Sequence, residues 1–309
     1  MIHLTTFTEK TLHYLESVII CPKFNQKSIR AFSMKINSNT LVYDSSQLGI
    51  PSITEIKEAY RYRNFIFQLA RRDILTRYKR SFLGITWTML NPLGMMLVLT
   101  LAFSQINKDI KGYPAYVLTG LLAWTFFSQT TTASMVNLVW GGGLLNKVYV
   151  PKTSFAIAAI ITGIINACLT LVPLIIVMAV TGVALHPSII FFPIALIILA
   201  SFSLGIGLLL STFAVYFPDV AEMYQIVLQA WFFLTPVVIN EKQYPSGYSY
   251  WIFHLNPMFY MIRIFRVTIY DGRFPYLSEF TTALVVGLVA LLIGFYVFTR
   301  KANEFGYRI

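Results

Sequence analysis

Long apolar segments alternate with short polar ones along most of this chain. Six of them approach or exceed the roughly 20 residues that a helix needs to cross a bilayer. They lie at about 81–106, 113–139, 154–181, 188–216, 222–240 and 281–299. From Thr153 to Pro218 the chain has no Asp, Glu, Lys or Arg, a run that no soluble core requires. The pattern therefore predicts an all-α integral membrane protein with six transmembrane helices in a membrane domain over 81–309.

Three further segments have patterns of their own. Residues 1–50 are polar and mixed, which predicts a loosely ordered tail. Residues 51–80 begin with Ser52 and Glu55 at capping-box spacing, and basic residues occupy the faces between the apolar positions. Those apolar positions are Ile56, Ala59, Tyr60, Phe67, Ala70 and Ile74. We expect an amphipathic helix on the membrane surface. The aromatic-rich segment 241–280 predicts short helices half-inserted into the outer leaflet, between spans five and six.

The basic residues indicate how the protein is oriented. Most of the 24 Lys and Arg residues lie in the N-terminal region, the 140–153 loop and the C-terminal end. The opposite loops carry Lys108, Lys111, Lys242, Arg263, Arg266 and Arg273. The positive-inside rule then places both termini in the cytoplasm of a multi-pass protein of the cytoplasmic (inner) membrane. The net charge of +11 reflects this arrangement and does not indicate nucleic-acid binding.

The sequence shows no motif for chemistry of its own. The cluster Gly141-Gly142-Gly143 lacks the spacing to a Lys-Ser/Thr pair that a phosphate-binding loop requires. The four histidines have no metal-ligand spacing, and no nucleophile or carboxylate pair has a catalytic arrangement. The first four spans contain no charged residue, which disfavours coupling to an ion gradient. We therefore expect no catalytic residue, cofactor or metal in this chain, and a driving force from another subunit.

Uncharged polar and aromatic side chains are frequent inside the predicted spans. Rings and hydroxyls without charge suit a bulky, hydroxyl-rich substrate such as a sugar chain. The candidate channel residues are Trp87, Trp124, Phe127, Gln129, Tyr224, Trp231 and Phe232. For any single ring, packing in the core or against lipid is the alternative interpretation.

Three motifs resemble one family. The run Arg71-Arg72-Asp73-Ile74, Arg77-Tyr78-Lys79-Arg80-Ser81, Leu83-Gly84 and Trp87, ending at Asn91-Pro92, resembles the entry to the first span of type-2 ABC exporter permeases. The similarity is to the branch that exports polysaccharides, O-antigens, capsules and teichoic acids. LLNKVYVP, from Leu144 to Pro151, and the stretch from Asn256 to Pro275 are similar to the same branch. The resemblance covers about 55–309.

The resemblance implies a subunit that pairs with a second copy of itself and with two copies of a separate ABC ATPase, which binds Mg-ATP. The surface helix would be an interface helix, with its membrane boundary at Arg71, Arg72, Asp73, Arg77, Tyr78, Lys79 and Arg80. The loop near 140–153 would be a coupling helix that contacts the ATPase through Leu144, Leu145, Asn146, Lys147, Val148, Tyr149, Val150 and Pro151. Segment 241–280 would form periplasmic gate helices, and the substrate would be a lipid-linked polysaccharide chain.

Three other functions remain open from the sequence. A permease of the same fold for drugs or lipids is the main alternative. A stand-alone membrane enzyme would need acidic or histidine residues clustered at the membrane surface, and the acidic residues of the loops are scattered. An ion-coupled carrier is disfavoured by the uncharged spans.

Overall fold

The computed structural model describes residues 51–79, 81–140, 150–238 and 248–307. Regular structure in these ranges is entirely helical. The α-helices are α1 Pro51–Arg61, α2 Arg63–Tyr78, α3 Trp87–Phe103, α4 Tyr113–Trp140, α5 Thr153–Thr181, α6 Phe192–Tyr216, α7 Val220–Leu234, α8 Tyr248–Leu255, α9 Pro257–Ile269 and α10 Leu277–Lys301. Short 3-10 helices cover Gly84–Thr86, Pro187–Phe191 and Ala302–Tyr307.

Within the part of the chain that the structure describes, four helical stretches are long and apolar enough to cross a membrane. They are Gly84–Phe103, Thr153–Thr181, Pro187–Tyr216 and Leu277–Lys301, which correspond to predicted spans one, three, four and six. Helix α4 has 28 residues but contains the polar run Ser128–Thr132. Helix α7 has 15 residues, or about 22 Å, against a hydrocarbon core of about 30 Å. The chain is therefore a multi-pass helical protein, and the count of six spans stays a prediction.

Helix α4 lies at the centre of the bundle, in contact with α3, α5, α6, α7 and α9. Its hydroxyl groups donate to carbonyl oxygens of the same helix four residues earlier. Thr119 donates to Ala115 at 2.8 Å, Thr130 to Phe126 at 2.7 Å and Ser134 to Thr130 at 2.7 Å. Because these polar groups are satisfied within their own helix, α4 is polar in composition and still buried.

Helices α6 and α10 approach each other at the level of the backbone. A Cβ atom added at Gly294 would lie 2.0 Å from the carbonyl oxygen of Gly205, and one added at Gly205 would lie 2.3 Å from that of Ala290. Small residues of this kind let membrane helices pack closely, which strengthens van der Waals contact. The pair α6–α10 therefore forms one tightly packed side of the bundle.

Segment 51–80 forms two helices, α1 and α2, which are separated at Tyr62 and which we call the surface helices; their position on the membrane stays a prediction. Helix α2 packs on α5, and α1 packs on α10 and α5. Their buried side chains, Ala59, Ile66, Leu69 and Ala70, share a core with Phe155, Phe298 and Phe305. Three residues of the predicted apolar face, Ile56, Tyr60 and Phe67, are exposed, by 59%, 73% and 59%. The two helices thus combine a docked face with an exposed apolar one.

The aromatic-rich segment after α7 contains two short helices, α8 and α9, and residues 239–247 lie outside the described part of the chain. Asn256 begins α9, since its side-chain oxygen accepts from Met258 N at 3.0 Å. The same oxygen accepts from Trp231 Nε1 at 2.9 Å, and the Asn256 amide donates to Thr235 Oγ1 at 2.8 Å. These bonds fix α9 to the end of α7. Whether the two helices are half-inserted gates stays a prediction.

Candidate functional site

A cavity of about 590 Å³ opens among α3, α4 and α5, beside the end of α2. Three residues that the sequence marked, Arg77, Trp87 and Gln129, line it together. The chain enters this region after α2 ends at Tyr78, and it turns at Gly84, whose φ of 51° lies in the left-handed region that favours glycine. Helix α3 then begins at Trp87, which leaves the indole ring 50% exposed at the cavity.

The wall of this cavity is rich in uncharged polar groups. The Thr88 hydroxyl donates at 2.6 Å to a carbonyl of the preceding 3-10 helix, and those of Thr125 and Thr170 donate to carbonyls of their own helices at 2.7 and 2.9 Å. Each oxygen therefore keeps acceptor capacity. The side-chain amides of Asn91, Gln129 and Asn166 also line it. Among the described residues, these three amides and the Arg77 guanidinium make no hydrogen bond or ion pair. The cavity thus offers donors, acceptors and one positive charge to a ligand.

Five other candidate channel residues lie together on the far side of α4. The Trp124 ring centroid is 5.5 Å from that of Phe232, and the Phe127 centroid is 5.2 Å from that of Trp231, both in edge-to-face geometry. Tyr224 and Thr131 share a hydrogen bond of 2.7 Å between their hydroxyls. Trp124, Phe127, Tyr224 and Phe232 are buried, whereas Trp231 is half-buried. This layer packs α7 on α4 within one protomer, and contact of its rings with a substrate stays a prediction.

Two contacts tie the surface helices to the ends of the segment 141–149. Asp73 of α2 accepts from Asn137 Nδ2 of α4 at 3.0 Å and from Arg72 Nη2 at 2.9 Å. Glu55 of α1 accepts from the backbone N of Thr153 at 3.2 Å and from its hydroxyl at 3.1 Å, at the start of α5. We call these the Asp73–Asn137 and Glu55–Thr153 joints.

Lys152 adds a third contact at the start of α5. Its ammonium donates to the carbonyl oxygen of Ala302 and lies 5.6 Å from the centroid of the Phe305 ring. Burial lowers the pKa of Lys152, and the nearby Glu55 carboxylate opposes this shift. The end of the loop is therefore held both to α1 and to the C-terminal 3-10 helix.

The predicted coupling and boundary residues have different positions. Val150 and Pro151 are buried, whereas Leu144, Leu145, Asn146, Lys147, Val148 and Tyr149 lie outside the described residues. Arg80 and the side chain of Tyr78 are outside them too. Of the other predicted boundary residues, Asp73 is half-buried. The remaining four are exposed: Arg71, Arg72, Arg77 and Lys79. Sequence reasoning missed Glu55 as a contact of the loop, counted Asn137 only among the uncharged polar residues of span two, and missed Asn166.

A second cavity of about 340 Å³ lies at the other end of the bundle, beside α9. Arg263, Arg266 and Arg273 line it, and Glu279 accepts from Arg263 at 3.2 Å and from Arg273 at 2.8 Å. The hydrogen bonds to Glu279 raise the pKa of Arg273. The Arg266 guanidinium lies 3.8 Å from the Tyr116 ring centroid and donates to the carbonyl of Val237 at 2.6 Å. Arg266 thereby fixes the chain after α7 to α4 and α9.

Helices α3 and α7 present apolar side chains outward. The most exposed of these are Leu97, Val98 and Leu101 on α3, and Met223, Ile226, Val227, Phe233 and Leu234 on α7. Such faces suit lipid or another protein surface.

Comparison with known proteins gives a consistent result. The family model described as "ABC-2 type transporter" matches residues 64–270. The O-antigen export system permease protein RfbA of Myxococcus xanthus is 30% identical over 261 residues, which cover 82% of this chain and 98% of the relative. The polysialic acid transport protein KpsM of Escherichia coli is 27% identical over 242 residues, which cover 74% of this chain and 90% of the relative. The capsule polysaccharide export inner-membrane protein CtrC of Neisseria meningitidis serogroup A is 23% identical, with 77% of this chain and 91% of the relative covered.

Proposed function

Because this chain belongs to the ABC-2 type transporter family, we propose that it is the permease subunit of an ATP-driven exporter that moves a polysaccharide across the inner membrane. The observation that carries this proposal is the match to the Myxococcus xanthus protein, which spans 98% of that relative and is named for O-antigen export. Two further relatives, named for polysialic acid and capsule polysaccharide, have the same substrate class in their names.

The chemistry of the large cavity supports a sugar substrate. Its wall combines the half-exposed indole of Trp87 with the amides of Asn91, Gln129 and Asn166. Amides offer both donors and acceptors to hydroxyl groups, and an aromatic face accommodates the C–H side of a sugar ring. A substrate that slides must bind weakly at each point, and neutral contacts of this kind serve that need.

The energy would come from two copies of a partner ABC ATPase that bind Mg-ATP. The segment 140–153 would contact this partner through Leu144 to Pro151, and the surface helices α1 and α2 would lie beside it. The Asp73–Asn137 and Glu55–Thr153 joints support this assignment, because they bracket the segment and would pass its displacement to α4 and α5.

A second copy of the chain would complete the pathway. The exposed apolar faces of α3 and α7 favour a homodimer, with the pore between the two copies. In this proposal α4 and α7 are the second and fifth of six crossings, α8 and α9 form the periplasmic gate, and both termini are cytoplasmic. The basic residues Arg71, Arg72, Arg77 and Lys79 support that orientation, since all four are exposed at the end of α2.

Deletion of the gene in its native host tests the proposal. We expect the surface polysaccharide to be lost and glycan attached to lipid to accumulate inside the cell, with both effects reversed by the wild-type gene. Replacement of the partner's ATP-binding lysine should reproduce the deletion. Normal surface polysaccharide in the deletion strain, together with loss of drug or phospholipid export, would instead identify the permease as one for those substrates.

A further inference from the structure

We propose that the cavity among α3, α4 and α5 binds the phosphate-bearing end of a membrane-anchored glycan, with the phosphate at Arg77 and the adjoining sugar against Trp87 and the cavity amides. The inference rests on the proposed function for the glycan, and it adds a defined binding site for one end of the substrate.

The charge at one end of the cavity favours a phosphate. Among the described residues, Arg77 is the cation that lines it, and its guanidinium has no carboxylate partner there. The nearest acidic residue in sequence, Asp73, is engaged by Arg72 and Asn137. A guanidinium can bind phosphate through two parallel N–H···O bonds, so its geometry suits this group better than a single-point cation.

The rest of the wall favours a sugar next to that phosphate. Asn91, Gln129 and Asn166 come from three different helices, and their amides face one volume without hydrogen-bond partners among the described residues. Threonine oxygens with spare acceptor capacity lie between them. The volume of about 590 Å³ is within the range of pockets that bind small organic groups, roughly 300–1,000 Å³. A phospholipid headgroup would leave most of these amides unused.

The surroundings of the cavity suit a ligand with a lipid anchor. Phe82 is fully exposed and Ile85 is 42% exposed, both just before α3 begins. A hydrocarbon chain lying against these two exposed side chains would place its phosphate at the end of α2 and its glycan in the cavity.

The test uses the whole protein in phosphatidylcholine nanodiscs, with Cys21 and Cys168 replaced by serine. Thr88→Cys places a thiol in the cavity, and Asn64→Cys places a control thiol on the exposed side of α2. The rate of alkylation by a water-soluble maleimide is measured with three probes: dodecyl phosphate joined to maltose, dodecyl maltoside, and dodecyl phosphate. We expect the joined probe to protect the thiol at position 88 at roughly tenfold lower concentration than either other probe, because it alone makes both sets of contacts. The thiol at position 64 should not be protected.

Three variants assign the contacts. Arg77→Gln should remove the advantage of the joined probe over dodecyl maltoside, and Arg77→Lys should restore part of it. Asn166→Ala should remove its advantage over dodecyl phosphate. The proposal would be overturned by equal protection with all three probes or by an unchanged ranking of the probes in Arg77→Gln. It would also be overturned if added phosphatidylglycerol removed the advantage of the joined probe, and that result would identify a phospholipid site. If binding fails while glycan export in cells still requires the protein, only this site is refuted. If binding holds and export does not require the protein, the proposed function is refuted.

Discussion

The Asp73–Asn137 joint gives the sharpest prediction for how the segment 141–149 acts on the membrane helices. Asn137 donates to the Asp73 carboxylate at 3.0 Å, in a half-buried position at the end of α4. A hydrogen bond to a charged group contributes about 1.5–3 kcal/mol. The Arg72–Asp73 pair adds little, about 0–1 kcal/mol, because the Arg72 side chain is 52% exposed. The Asn137 bond therefore dominates at Asp73.

Asp73→Ala should weaken the coupling of ATP hydrolysis to transport while the protein stays folded. We take the Asp73–Asn137 hydrogen bond to form in one of two conformations that the ATPase interconverts. Because about 1.4 kcal/mol corresponds to a tenfold change, losing this bond shifts the population ratio of the two conformations by roughly 10- to 100-fold. The assay is glycan translocation per ATP hydrolysed, measured in proteoliposomes that contain the permease and its ATPase. We expect ATPase activity to persist while translocation per ATP falls at least about tenfold.

The control is Arg72→Gln, which removes the other partner of Asp73. It should change translocation per ATP by less than about fivefold. A double-mutant cycle with Asp73→Ala and Asn137→Ala isolates the hydrogen bond, and we expect non-additivity above about 1 kcal/mol. Additive effects, within about 0.3–0.5 kcal/mol, would show that the two residues act independently and would refute this account of the joint.

Three further predictions concern stability, each measured by thermal unfolding in nanodiscs. Glu55→Ala should lower the free energy of unfolding by about 1 kcal/mol, because the Glu55 carboxylate caps α5 at Thr153. Glu55→Gln should lower it by less, and equal losses in the two variants would argue against a charge-assisted cap. Gly294→Ala should destabilise the protein by about 1–3 kcal/mol, because the added Cβ meets backbone atoms of α6. Gly94→Ala should not destabilise it, because the space around Gly94 is open. Similar effects of both substitutions would contradict the packing of α6 on α10. Burial lowers the pKa of Lys152, so the folded state holds fewer protons than the unfolded state in the pH range just below 10.5. The free energy of unfolding contributed by this residue should therefore rise with pH in that range. Lys152→Met should remove this contribution, and identical pH profiles of stability for the wild type and the variant would contradict it.

The hydrophobic pattern located the long helices but did not indicate which of them lies at the centre. Long uncharged runs located α3, α4, α5, α6 and α10, because burial in a membrane requires nearly continuous apolar sequence. Helix α4 is more polar at Ser128–Thr132, yet it is buried, because its hydroxyl groups bond within the helix and its neighbours exclude lipid. Hydropathy alone does not register either effect.

The surface helices show a second limit of pattern reading. The periodicity assigned Ile56, Tyr60 and Phe67 to one apolar face, together with Ala59 and Ala70, of a helix lying on the membrane surface. The structure buries the two alanines and exposes the three large residues. Small side chains let α1 and α2 approach the bundle closely, and large ones remain outside, where lipid or a partner subunit can cover them.

The candidate site was predictable only in part. Arg77, Trp87 and Gln129 were marked by charge, ring and amide chemistry, and the structure brings them to one cavity. Asn166 joined them only through the packing of α5 on α3 and α4, which a single sequence does not specify. The Glu55–Thr153 contact spans 98 positions along the chain, so local spacing carried no signal of it.

The central claim is that ATP hydrolysis by a partner subunit drives a polysaccharide through this permease. Its most direct test is reconstitution of the purified permease and ATPase in sealed liposomes, with a lipid-linked, fluorescently labelled glycan in the outer leaflet beside the ATPase. We expect Mg-ATP to make the label inaccessible to an external glycosidase, and we expect neither a non-hydrolysable ATP analogue nor an ion gradient to do so. ATP hydrolysis without protection of the glycan, or protection driven by an ion gradient alone, would contradict it.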